Sequence, residues 1–221
     1  MRVTLLGAVV FVAVLLSGCG STPTAQAPAS PKVSEPPRAP GESPTPAAKK
    51  EDRSLELLQA AERGQASRVE ELLASGVGVN DKDAGGETAL MKAAANNHVA
   101  ISRALIAKRA DVDERDQNGE DALMKAAANG HLAAVQVLVT SDSDLIYKAQ
   151  DRNGMTALMK AAANGHELMV KEIANYSSGI AFPKTFDIHA KDRKGKTAFD
   201  HAEEKGHKDI AAFLAAKMKK S

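Results

Sequence analysis

Apolar and small residues recur along most of the chain at a near-constant interval. Leu57, Leu90, Leu123, Leu158 and Phe199 share one column, and Ala60, Ala93, Ala126, Ala161 and Ala202 share the next. Farther along each interval come Leu72, Leu105, Leu138, Ile173 and Leu214. Residues 88–98, 121–131 and 156–166 read TALMKAAANNH, DALMKAAANGH and TALMKAAANGH, at spacings of 33 and 35 residues. A fixed period in the thirties marks a stacked array, in which no unit can bury its own apolar face alone. The apolar positions fall at helical spacing on either side of a turn column, Gly64, Asn97, Gly130, Gly165 and Gly206. Glycine, and next asparagine, tolerates the left-handed backbone that reverses the chain between antiparallel helices. The pattern predicts an all-α solenoid of about five helix-turn-helix units joined by hairpin loops. Their spans are about 54–86, 87–119, 120–154, 155–195 and 196–221.

These residues resemble the ankyrin repeat. Its phrase opens on Thr-Pro-Leu-His, continues through two alanines and Gly-His to an aliphatic second helix, and closes on a hairpin rich in Asp, Asn and Gly. The hairpins here include Val79-Asn80-Asp81-Lys82-Asp83 and Val112-Asp113-Glu114-Arg115-Asp116, with less regular versions ending at Asp151 and Asp192. The resemblance covers roughly residues 53–218, the first and last units resembling terminal caps. Two departures stand out. Alanine replaces the usual proline at Ala89, Ala122, Ala157 and Ala198, which loses a preset backbone angle. Methionine replaces the usual histidine at Met91, Met124 and Met159, while Thr88, Asp121 and Thr156 keep the chemistry of an N-cap. The resemblance implies a protein-binding module that holds its partner on the concave face, where the first helices look out, and on the hairpin tips.

Ahead of the array, Arg2 precedes the apolar run Val3–Leu16, and small residues Ser17 and Gly18 precede Cys19. A charged start, an apolar stretch and small residues form a secretory signal. Leu16-Ser17-Gly18-Cys19 resembles the lipobox of bacterial lipoproteins. That implies cleavage after Gly18 (signal peptide 1–18) and acylation of Cys19 with diacylglycerol and fatty acid such as palmitate. An ordinary signal or a spanning helix is the alternative, though Val3–Gly18 falls short of the roughly 20 apolar residues a span requires. Cys19 is the sole cysteine, so no disulfide framework exists. Eight of the nine prolines lie between Pro23 and Pro46, which predicts an extended tether over residues 19–52 and a folded head over 53–221. The expected address is the cell envelope, at the outer membrane facing the periplasm.

Candidate chemistry is sparse. His98, His131, His166 and His207 recur with the repeat, and units stacked about 10 Å apart keep them from converging on one metal. His189 and His201 fall outside that column. Gly76-Val77-Gly78 lacks the rest of a dinucleotide fingerprint. The expectation is no enzyme, no cofactor and no metal, and a net charge of +1 argues against nucleic acid.

Two features point to a partner protein. Lys92, Lys125 and Lys160 occupy one position of three successive first helices, flanked by Asn96, Asn129 and Asn164. They read either as copied solvated residues or as a basic strip for an acidic protein surface. Units three and four are two and eight residues longer than the 33-residue period. The added segments, Ser141–Ala149 and Asn175–His189, carry Tyr147, Tyr176, Phe182 and Phe186, with Ile180 and Pro183. Aromatic side chains on loops are typical binding anchors, and the same rings could instead fold back onto the solenoid. The sequence thus predicts a membrane-anchored, exported interaction module with a monomeric head. By analogy of location and fold it would be an immunity inhibitor of an envelope hydrolase, or alternatively an envelope scaffold or stress-protection factor.

Overall fold

A computed structural model describes residues 46–140, 148–175 and 186–219. Cys19, Tyr147, Tyr176, Ile180 and Phe182, together with the signal and most of the tether, lie outside the described residues. Ten helices form five antiparallel pairs among these residues: α1 (Pro46–Glu62) with α2 (Ala66–Ala74), α3 (Ala89–Ala95) with α4 (Val99–Ala107), and α5 (Ala122–Ala128) with α6 (Leu132–Val139). They continue with α7 (Ala157–Ala163) against α8 (Glu167–Asn175) and α9 (Ala198–Glu204) against α10 (Lys208–Met218). The first helices stack as one layer, α1 on α3, α3 on α5, α5 on α7 and α7 on α9. The all-α repeat solenoid is the architecture the periodicity predicts. Helix α1 begins at Pro46, inside the stretch assigned to the tether. Proline suits a first helical position, and the Ala-Ala-Lys-Lys that follows favours helix.

Each short first helix is set by its cap. Thr88 Oγ1, Asp121 Oδ1 and Thr156 Oγ1 accept from the backbone N–H of Met91, Met124 and Met159, at 3.3, 2.8 and 3.3 Å. Thr197 and Asp200 close a reciprocal capping box on α9. Caps therefore survive the loss of proline and histidine from the opening phrase. Leu57, Leu90, Leu123 and Leu158 are buried to 1% exposure or less, as are the alanines of the adjoining column. Small side chains let neighbouring backbones approach closely, and the leucines fill the remaining space.

The turn glycines also join one unit to the next. A Cβ built on Gly64, Gly130 or Gly165 would come within 2.6 Å of the ring of His98, His166 or His207. Each ring uses the vacancy to donate through Nε2 to a carbonyl of the preceding unit: Glu62 at 3.0 Å, Ala128 at 2.8 Å and Ala163 at 3.2 Å. His98, His166 and His207 are thus structural joints, the role expected for the column. Asn97 is the exception, holding φ at +58° with a side chain where the other units have none. There the Ala95 carbonyl accepts from Asn129 Nδ2 at 2.9 Å. Asn97→Gly is expected to stabilise the head by about 1 kcal/mol, through relief of the left-handed backbone and a vacant seat for His131. Gly130→Asn should cost at least as much. Thermal melts of both variants, read by circular dichroism, check the pair.

Candidate interaction surface

Lys92, Lys125 and Lys160 do line up on successive first helices, but their charge is spent inside the array. Lys92 Nζ lies 3.0 Å from Asp83 and 2.8 Å from Glu87. Lys125 reaches Glu87 at 2.6 Å, Asp116 at 2.8 Å and Glu120 at 3.4 Å. Lys160 reaches Glu120 at 2.5 Å and Asp151 at 2.7 Å. Glu87 and Glu120 each bridge two lysines of consecutive units, and Glu62 lies 3.6 Å from Lys92, so the row is one zigzag of three cations and six carboxylates. Neither reading of the lysines holds: in place of solvated copies or a basic strip for a partner stands a charge ladder, net acidic, with lysine side chains only 13–14% exposed.

Electrostatics follow that geometry. Burial alone would lower the lysine pKa values, but hydrogen bonds to Glu87 and Asp83, Asp116 and Glu87, and Asp151 and Glu120 outweigh it and hold all three above the ordinary value. Burial would likewise raise Asp116. Hydrogen bonds from Lys125 and from the Glu120 and Asn118 backbone instead hold it below the usual carboxylate range. Asp83 and Glu87 are lowered in the same way.

The aspartates of the ladder are built into the hairpins. Asp83, Asp116, Asp151 and Asp192 each turn Oδ1 to two backbone N–H groups, two and four residues on, at 2.8–2.9 Å. Oδ2 of the first three is left for the lysine nine residues along. In the last unit that lysine is His201, whose Nε2 sits 2.9 Å from Asp192 Oδ2. Sequence reasoning placed His201 outside any pattern. The constant Asp-to-Lys spacing of nine residues, continued as Asp192–His201, is the signal that would have found it.

Asn96, Asn129 and Asn164 are exposed, and each spends Nδ2 on a backbone carbonyl: Lys92, Ala95 and Ala128, at 2.9, 2.9 and 2.8 Å. Phe186 is a second correction. It is 6% exposed and belongs to the core, not to a binding loop. It lies six residues before Asp192, as buried Ala110 lies before Asp116 and Val77 before Asp83, so it closes the regular hairpin. Tyr147, Tyr176, Ile180 and Phe182 lie outside the described residues.

The hairpin tips make the exposed surface. The backbone N–H of Gln117 donates to Gly85 at 3.0 Å, Arg152 to Asn118 at 2.9 Å and Arg193 to Asn153 at 3.0 Å, joining successive tips. Side chains clamp the same row: Gln117 Nε2 reaches the Ala84 carbonyl at 2.6 Å, Arg115 that of Gln150 at 2.5 Å, and Gln150 Nε2 that of Lys191 at 3.1 Å. Gln117, Asn118, Arg152, Asn153, Arg193 and Lys194 are left facing solvent. The row is a stiff, preorganised comb. Among the described residues, no group of His, Cys, Asp or Glu is arranged to hold a metal, and no helix is long and apolar enough to cross a membrane.

Compared with known families, the chain matches the profile described as ankyrin repeats (three copies) over residues 57–149 and 145–221. No curated protein matches it.

Proposed function

The chain belongs to the ankyrin-repeat family, whose arrays are protein-interaction modules, and from that premise we propose that it binds a partner protein through its hairpin row and the adjoining groove while anchored to a membrane through lipid on Cys19. The observation that carries the reading is the joined row of hairpin tips, exposed in side chain and fixed in backbone. A partner meeting such a row loses little binding energy to ordering it. The ladder beneath acts as the frame that sets the spacing of the tips, and the groove contact at Lys92, Lys125 and Lys160 is through a mixed-charge surface. The segment Asn175–His189, without Phe186, stays in the proposal as a specificity element.

The Leu16–Cys19 sequence supports export and anchoring. A tether at the envelope raises the local concentration of the head beside any membrane-proximal target. Inhibition of an envelope hydrolase, in the manner of an immunity factor, is the narrower reading, and it rests on analogy of location and fold. A non-inhibitory scaffold is the alternative, favoured by the length of the row, which offers more than one contact zone.

A photo-crosslinking residue at Asn118 or Asn153 of the full chain, expressed in a bacterial host carrying the chain's own neighbouring genes, tests the reading. One discrete protein adduct is expected at the tips. Its yield should fall when Cys19→Ser releases the chain from the membrane fraction. Absence of any protein adduct at either tip overturns the proposal, and an adduct whose yield ignores Cys19→Ser overturns the anchoring.

A further inference from the structure

Charge is not shared evenly along the hairpins. In the first two, Lys82 is matched by Glu114 at 2.5 Å, Arg115 is spent on carbonyls, and Asp81, Asp111 and Asp113 leave the region acidic. In the last two, Lys148, Arg152, Lys191, Arg193 and Lys194 are all exposed, and among the described residues none of them is in an ion pair. Arg152 and Arg193 occupy the same place on tips whose backbones are hydrogen-bonded to one another. Lys148 and Lys191 both line a cavity of about 560 Å³ that also has the apolar side chains of Leu158, Phe186 and Ala190 in its lining. Asp187, also at its rim, turns Oδ1 to the His189 N–H at 2.8 Å. The cavity lies where the long fourth unit departs from the regular period. Between units one and two the corresponding arms are held together by Asn80 Oδ1, which accepts from the Asp111 N–H at 2.9 Å.

We infer that the hairpins of units three to five form a docking site for an acidic segment of a partner protein, with the exposed cations meeting its carboxylates and the cavity lined by Lys148 and Lys191 receiving one apolar side chain. The inference rests on the protein-binding reading and gives it a place and a chemistry. Among the described residues, five exposed cations against one exposed carboxylate supply the charge complementarity, and the apolar lining offers an anchor side chain a seat that fills only part of the cavity. A nucleic-acid strand would use the cations but leave the apolar lining empty, and the described tips offer no exposed aromatic ring for base stacking. A lipid surface fits poorly as well, because Leu158 and Phe186 are recessed at 1% and 6% exposure and cannot insert.

The full chain in non-ionic micelles, with a fluorescent Glu-rich peptide carrying one central Phe as probe, tests this by anisotropy. Salt-sensitive binding is expected, about tenfold weaker or more in R152E/R193E and several-fold weaker when the probe's Phe is replaced by Ser. Both substituted arginines are exposed, so folding should be retained, and a thermal melt checks it. The site is overturned if the double reversal leaves affinity unchanged. It is also overturned if a single-stranded oligonucleotide of equal charge, or phosphatidylglycerol in mixed micelles, binds more tightly than the peptide. A crosslinked natural partner that ignores R152E/R193E would sink this site and leave the protein-binding reading standing.

Discussion

Asp121→Thr is expected to stabilise the head at neutral pH, and to do so only above mildly acidic conditions. Thr88, Thr156 and Thr197 cap the corresponding helices of other units; unit three alone uses a carboxylate at this position. Asp121 is 1% exposed, its Oδ1 accepts from the Met124 N–H, and its Oδ2 has no hydrogen-bond partner among the described residues. Burial pushes its pKa up from 3.8 to about 6; the Met124 N–H and Arg115 pull it back in part, and Asp113 adds to the rise. A carboxyl raised in the folded state stabilises the fold fully below 3.8, and that contribution is lost as pH rises through about 6. The shift corresponds to about 3 kcal/mol at pH 7.5 as an upper value, or a melting temperature roughly 5–10 °C higher in the threonine variant. Comparing the variant with the parent from pH 4 to 8 cancels the titration of histidines common to both. The two curves should approach one another near pH 4 and separate towards pH 7. Parallel curves would show that Asp121 is ionised, and tolerated, throughout.

The second large effect is expected at Lys125, the middle of the ladder. Lys125→Met keeps the length of the side chain and removes the charge that faces Glu87, Asp116 and Glu120. The Asp116 side chain is only 3% exposed, so it cannot recover the lost partner from water. Breaking a buried pair on one side costs about 3–5 kcal/mol, and the partial exposure of Glu87 and Glu120 places this case near the lower end. Lys125→Glu should cost more, enough to prevent folding of a marginal array. Asp116→Asn on top of Lys125→Met should restore part of the loss, and denaturant titration of the double-mutant cycle measures the coupling. Strictly additive losses would mean that the ladder is decoration. Its pH dependence runs opposite to that of Asp121. Asp83, Glu87 and Asp116 are lowered in the folded state, so their contribution is present above their unfolded values and disappears as pH falls through the folded ones.

The architecture could be read from the chain because solenoid packing is written in residue size. Leucine and alanine columns, and a glycine at every reversal but the one held by Asn97, leave one way to bury the apolar face. Side-chain charge does not obey that economy. Lys92, Lys125 and Lys160 look free in a linear alignment because their partners, Asp83, Asp116 and Asp151, stand nine residues back across a reversal of the backbone. Glu87 and Glu120 then join units that are distant in sequence. Phe186 misled for a related reason: counted forward from the helix it falls in an insertion, and counted backward from Asp192 it falls in the core. The interaction surface was legible only as a region. Hairpin tips were expected, but which cations remain unpaired depends on contacts that periodicity does not encode.

The seating of His rings over turn glycines also sets how such an array can grow. An in-frame tandem duplication of residues 120–154 would bring Gly130 and His131 together, so the new copy would supply both halves of a sound junction. Duplicating residues 87–119 would import Asn97 and repeat the one imperfect joint. In the last described unit, no described residue lies within 4 Å of where a side chain on Gly206 would begin. The terminal unit therefore keeps an open socket, and lengthening there requires no residue already present to be exchanged.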